Sequence, residues 1–398
     1  MINPMPLVRA EFRRTRATTA LAVALVAVAV ALGVMVTSQE RTVRIGTARA
    51  ADAFDVLIGA RGSPTQLVLS TVFLQPAALD LIPGSVFTEL ASERGIAWAA
   101  PIVFGDSYRG YAVIGTTAVL ATQGGAAVLD RGREFHAPHE AVVGADVPLG
   151  LGERFAPTHG EGHDGVEHGF EHTVVGVRKR LGTPWDRAIL VPVEAVWRIH
   201  ARPTGQPPGA ERVGSPWQGE VSPVSAIVIQ AASVGDAYRL RARYRTASVM
   251  ALFPAEVLVE LYGTLGDARD LLSTIALVTQ GLVVAAVLLA ILAAQAHRRR
   301  QLGVLRALGA SRTYVFTAVW LQATLLVACG GVAGLGLGWQ AAAVLSHVLQ
   351  VKTGVALAAS LSAAELRLVG GIVLIGAALA LLPAWLAYRR PVAALLRG

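Results

Sequence analysis

Four long stretches of the chain hold no Asp, Glu, Lys or Arg: Ala17–Val36, Leu271–Ala296, Phe316–Ser346 and Leu368–Tyr388. Each reaches the roughly 20 residues that an α-helix needs to cross a bilayer. Between the first two, residues 37–270 alternate on a shorter scale. Runs such as Trp98–Phe104, Tyr111–Gly115, Ala141–Gly144, His172–Val177 and Ala188–Pro192 are rich in β-branched and aromatic residues, which predicts strands. Val224–Gln230 reads as a further strand, and residues 235–246 as a helix. Residues 38–60 and 255–270 mix charges with apolar positions and continue the adjoining membrane runs, so helical stalks are expected there. Pro203–Gly219 is rich in Pro and Gly and reads as a surface loop. The pattern predicts an α-helical membrane protein with four transmembrane helices and a large α+β extracytoplasmic domain on helical stalks.

Charge orients this arrangement. Residues 297–315 carry Arg298, Arg299, Arg300, Arg306 and Arg312 and no acid. Arg9, Arg13, Arg14 and Arg16 precede the first span, and Arg389, Arg390 and Arg397 follow the last. Basic loops stay in the cytoplasm. The expected division is therefore a cytoplasmic amphipathic segment (1–16), span one (17–36), the extracytoplasmic domain (37–270), span two (271–296), a cytoplasmic segment (297–315), span three (316–346), an outer loop (347–367), span four (368–388) and a cytoplasmic tail (389–398). The composition agrees: 54% of the 398 residues are hydrophobic. The net charge of +8 does not signal nucleic-acid binding, because much of the Arg flanks the spans. The one cysteine, Cys329, lies within span three, so the extracytoplasmic domain folds without an internal disulfide.

Candidate chemistry is sparse. No Gly-rich loop ends in the Lys of a nucleotide-binding P-loop, since neither Lys179 nor Lys352 has that setting. His139–Glu140 opens like a zinc-protease motif, but Val143 stands where its second histidine belongs. Gly105–Gly110 is one residue too long for a nucleophile elbow. No catalytic constellation emerges, and the uncharged spans argue against a charged substrate passing between them. Leu302, Leu305 and Leu308 recur at helical spacing, Gly309 can end that helix, and Ser311 can cap the next. Gly330, Gly334 and Gly338, four apart, allow close helix packing in span three. Between residues 159 and 172, His159, His163, His168 and His172 alternate with four acids. Imidazoles and carboxylates suit zinc, and flexible glycines suit a solvated polar loop; both readings stay open.

Residues Arg298–Ser311, RRQLGVLRALGAS in one-letter form after Arg298, resemble the cytoplasmic signature of the FtsX/MacB-type ABC transporter permeases, with Gln301 where many relatives have Glu. Pro383–Trp385 and Tyr388–Gly398 resemble that family's C-terminal ending, and Val142–Glu153, Thr173–Val177 and Thr183–Glu194 its MacB-like extracytoplasmic domain in outline. The resemblance implies a non-catalytic permease subunit in a bacterial inner membrane, with both termini cytoplasmic. It implies that Arg298, Gln301, Leu302, Leu305, Arg306, Leu308 and Gly309 touch a separate ATPase, which holds ATP and Mg. It also implies a homodimer or a heterodimer with a paralogue, and a periplasmic adaptor or lipoprotein as partner. The histidine loop is similar to insertions in a zinc-linked subgroup, which would place zinc there. An FtsX-like regulator of a cell-wall hydrolase is the competing reading, disfavoured by the size of the insert; a membrane-anchored metal sensor is the third.

Overall fold

A computed structural model of the chain describes residues 3–75, 77–125, 129–159, 166–167, 170–207, 213–217, 219–263, 304–357 and 359–389, with isolated helical residues between 271 and 285. It divides into two compact units, one of residues 1–43, 266–348 and 357–398 and one of 44–265 and 349–356.

The first unit is helical. Helix α1 (Met5–Arg14) precedes α2 (Arg16–Ala51). Three described helices are long and apolar enough to cross a membrane: 16–51, 312–353 and 363–389. The expected second span, 271–296, lies largely outside the described residues, as does the expected tail from Arg390 onward.

The second unit is a mixed α+β domain. In chain order its elements are β1 (Val56–Ala60), α3 (Pro64–Phe73), α4 (Gly84–Leu90), β2 (Ile96–Tyr108), β3 (Tyr111–Thr116), α5 (Ala118–Thr122), β4 (Leu129–Gly132) and β5 (Glu140–Val143). Then follow β6 (Arg154–Phe155), β7 (Thr158–His159), β8 (Val166–Glu167), β9 (His172–Arg178), a 3₁₀ turn (Pro184–Arg187), β10 (Ile189–Pro192) and α6 (Val193–Ile199). Strand β11 (Ala226–Ala231), α7 (Val234–Arg243), β12 (Val249–Leu252) and α8 (254–263) complete it. The sheet order is β12-β1-β11-β2-β3-β10-β5-β9-β4. The pairs β3–β10 and β5–β9 are parallel.

Central strands such as Ile189–Pro192 and Ala226–Ala231 are apolar at nearly every position because both faces of the sheet are covered. Side chains alternate between two cores. Val56, Ile58, Ile227, Ile229, Ile189 and Val191 face the layer that holds α4, α6 and α7, where Phe87, Val196, Trp197 and Leu240 pack. Leu57, Val228, Leu190 and Val142 face the other layer, against Leu67, Val68 and Val72 of α3.

Two expected boundaries shift. The first stalk was expected to stay helical from 38 to 60, yet α2 stops at Ala51 and residues 56–60 form β1. The Asp55 carboxylate explains the change: it accepts from the Ala231 backbone N–H at 2.9 Å and the Gln230 amide at 2.6 Å, tying the chain to β11. The expected outer loop, 347–367, is shorter. Helix α9 (Arg312–Thr353) runs on until Gly354 takes a positive φ of 72°. Helix α10 (Ala363–Leu379) begins under a capping box in which Ser362 and Glu365 satisfy each other's backbone N–H groups. Helix α11 (Leu381–Arg389) follows after a break at Ala380, three residues before Pro383.

Candidate functional site

Of the expected coupling residues, Arg298, Gln301 and Leu302 lie outside the described residues. The rest form a short helix end. Residues 304–307 are helical, and the chain then closes in a Schellman motif. The Ala310 N–H donates to the Leu305 carbonyl at 3.0 Å and the Gly309 N–H to the Arg306 carbonyl at 3.2 Å. Gly309 adopts φ +99°, a conformation that costs glycine little. Ser311 then accepts from the Tyr314 N–H at 3.1 Å and starts α9. The turn is therefore fixed at both ends. Leu305 and Arg306 are half-buried, whereas Leu308 is 81% exposed, the highest value for a large apolar side chain among the described residues.

The first turns of α9 are held against α11. Val315 and Val319 pack on Ala384 and Ala387. Phe316 meets Tyr388 edge to face at 6.4 Å, and the Trp320 indole N–H donates to the Ala377 carbonyl at 2.9 Å. Further along α9, the three glycines face α2. A Cβ would lie 2.6 Å from Val26 Cβ at Gly330, 2.6 Å from Val30 Cβ at Gly334 and 2.8 Å from Val34 Cβ at Gly338. Such distances are below van der Waals contact, so only glycine permits this approach of the two backbones. On the other side, Val327 packs where a Cβ on Gly376 of α10 would fall, at 2.8 Å. An ion pair that sequence reasoning missed ties α2 to α10: Arg41 Nη1 to Glu365 Oε2, 3.1 Å, with the Glu365 side chain fully buried. The S-x-x-E spacing at Ser362–Glu365 was the signal available for it.

The four candidate histidines do not share one environment. His163 and His168 lie outside the described residues. His159 belongs to β7, with its backbone opposite Asp106 of β2. His172 opens β9 opposite Phe155 and is completely buried. Its ring stacks on Phe155 at 5.5 Å and meets Phe170 edge-on at 5.1 Å. Among the described residues neither ring nitrogen has a hydrogen-bond partner. Burial, with the nearby His139 adding to it, depresses its pKa to about 4. The structure places His172, expected as a zinc ligand, as a buried core side chain against aromatic rings. Among the described residues no three His, Cys, Asp or Glu converge as a metal set.

Three further polar features support the fold. Glu140 accepts from both Arg133 Nη atoms and from the His136 and Ala137 N–H groups at 2.8 and 3.2 Å. The Arg133 contact, helped by those N–H groups, holds its carboxyl down at about 2. Residues 108–111 make a tight hairpin turn, with positive φ at Arg109 and Gly110. Buried Glu194 accepts from the Gly214 N–H at 2.7 Å and the Trp217 indole at 3.0 Å, so the Pro- and Gly-rich loop is anchored onto α6; burial pushes its carboxyl up.

The chain's relations follow. A search of curated proteins gives no significant match. Among solved structures, the periplasmic region of MacB from Actinobacillus actinomycetemcomitans is similar at 10% identity and a TM-score of 0.35, covering 53% of this chain and 95% of that one. The extracellular domain of the noncanonic ABC-type transporter YknZ from Gram-positive bacteria is similar at 12% identity and a TM-score of 0.30, covering 50% of this chain and 98% of that one. Residues 273–394 match the family described as FtsX-like permease C-terminal, which takes in the turn at Gly309, the glycine-bearing helix and α10–α11. The likeness to the FtsX-like permeases therefore rests on residues 273–394, about a third of the chain.

Proposed function

We propose that the chain is the membrane subunit of a bacterial ABC transporter of the mechanotransmission type. In this reading a separate ATPase, carrying ATP and Mg, seats the turn that ends at Gly309. Closure of the ATPase pushes α9, and α9 moves with α2 and α10 because the glycine contacts and the Arg41–Glu365 pair leave no slack between them. The helices pass that movement to the extracytoplasmic domain. Two copies, or one copy and a paralogue, would pair with two ATPase subunits in the cytoplasmic membrane, with both termini inside. A periplasmic adaptor or lipoprotein completes the assembly.

Leu308 carries the reading. A leucine held rigidly and 81% exposed forgoes most of its burial energy, about 2 kcal/mol, unless a partner covers it. Its neighbours in the basic segment, Arg306 and Arg312, suit an acidic rim around an apolar groove. The test is a photo-crosslinking amino acid at position 308 in cells. Crosslinks to an ATPase of the ABC class support the reading, and crosslinks to lipid alone overturn it.

We also propose that any zinc on the histidine loop is taken by His159, His163 and His168. The enclosure of His172 supports that narrower set, since its nitrogens reach a metal only if β9 leaves the sheet.

A further inference from the structure

The α+β unit carries a half-open cleft of about 750 Å³. That volume suits a drug-sized ligand. Part of the lining is apolar: Phe73 at the end of α3, Leu79 and Leu81 from the segment after it, and Phe104 from β2. Gly105, Gly110 and Ala112 of the β2–β3 hairpin leave the space open, and no atom lies within 4 Å of a Cβ built on Gly110.

The lining also carries two cations, Arg187 and Lys352. Their positions are fixed relative to each other. Arg187 Nη1 donates to the Val351 carbonyl at 2.7 Å, and its guanidinium lies 4.9 Å from the Tyr111 ring centre. The Ala356 N–H donates to the Gly182 carbonyl at 2.9 Å, and a Cβ on Gly354 would touch Pro184 and Arg187 at 3.0 Å. This clip holds the last turn of α9, with Lys352, beside the 3₁₀ turn that bears Arg187. Among the described residues neither cation is paired with an acid. Asp106 also lines the cleft, but it is buried in β2 and has its own partner. The lining therefore keeps a positive excess next to its apolar part.

The geometry points to a binding site for an anionic amphiphile: a carboxylate or phosphate head at Arg187 and Lys352, with its apolar body along Phe73, Leu79, Leu81 and Phe104. Charge-assisted hydrogen bonds fix the head, and burial of the tail supplies the remaining affinity. The site is independent of whether an ATPase engages the coupling turn, so its failure and the failure of the transporter reading are separable.

The test uses the full chain in phosphatidylcholine nanodiscs without ATPase, with a diazirine-bearing dodecanoate as probe. Labelling is expected in peptides covering 73–81 and 104–112. Excess dodecyl phosphate should suppress it, whereas acetate and dodecyltrimethylammonium should not. Lys352→Glu, at an exposed position, and Leu81→Glu, 43% exposed, should each survive folding. Each should weaken labelling about tenfold, as expected for loss of one charge-assisted contact or insertion of a charge into the wall. Nanodiscs doped with phosphatidylglycerol distinguish the source. Suppression there assigns the site to a bilayer lipid, and persistence assigns it to a free single-chain amphiphile; either agrees with the proposed chemistry. Diffuse labelling, equal competition by the cationic amphiphile, or labelling unchanged by Lys352→Glu would overturn it.

Discussion

Protonation of His172 should destabilise the second unit at mildly acidic pH. The ring is buried between Phe155 and Phe170 with no described hydrogen-bond partner, and its pKa falls from 6.5 to about 4 on folding. The unfolded strand binds the proton more tightly, so this contribution is complete above pH 6.5 and lost as pH falls toward 4. Linkage between those two values puts the loss at about 2 kcal/mol at pH 5 and about 3 kcal/mol at pH 4. Glu140 adds almost nothing to the loss at pH 5. Its carboxyl is depressed to about 2, so its contribution is lost only as pH falls below 4.5 toward that value. Hydrogen exchange of the β9 amides in the full chain, corrected for intrinsic rates, should show about twentyfold less protection at pH 5 than at pH 7. His172→Phe keeps the aromatic packing without a titrating group and should abolish the difference. Equal corrected protection at both pH values, or the same pH slope in His172→Phe, would refute the account of this ring.

Three further outcomes are expected. Gly334→Ala places a methyl 2.6 Å from both Ala27 O and Val30 Cβ and should cost about 1–3 kcal/mol in thermal unfolding, whereas Gly336→Ala, with open space around it, should be neutral. Arg41→Ala strands the buried Glu365 carboxylate and should cost about 3 kcal/mol in the same measurement, with Glu365→Ala in the Arg41→Ala background recovering part of it. Calorimetry with zinc near pH 7.5 should lose its signal in the combined His159→Ala, His163→Ala and His168→Ala variant and keep it in His172→Phe; the reverse pattern would restore His172 as a ligand.

The sheet was legible in the sequence because its central strands are short β-branched runs, and Trp98–Phe104, His172–Val177 and Ala188–Pro192 all fall on observed strands, the last beginning one residue early. The helix expected over residues 235–246 is α7, which runs from Val234 to Arg243. The ends of the long helices were not legible. Hydropathy marks where apolar residues stop, whereas α9 stops where Gly354 allows a positive φ and α2 where Asp55 finds its β11 partners. The glycine spacing on α9 announced a close helix contact but could not name α2 as the partner, since the valines at 26, 30 and 34 differ little from their apolar neighbours. His172 belonged to two patterns at once, the histidine-rich run and the alternation of β9. The inward position of Val174 on the same strand was the clue that it points into the core.

The central claim is that movement begins at the Leu308 turn and ends in the extracytoplasmic domain. Cys329→Ala removes the native thiol, and a spin label at the exposed Arg131 position in each of two permease copies reports on that domain. The complex with its ATPase, in nanodiscs, is compared without nucleotide and trapped with ATP. The label-to-label distance distribution should shift on ATP trapping, and Leu308→Asp should remove the shift while the permease remains inserted and folded. No shift in the parent complex, or a full shift that survives Leu308→Asp, would contradict transmission through this turn.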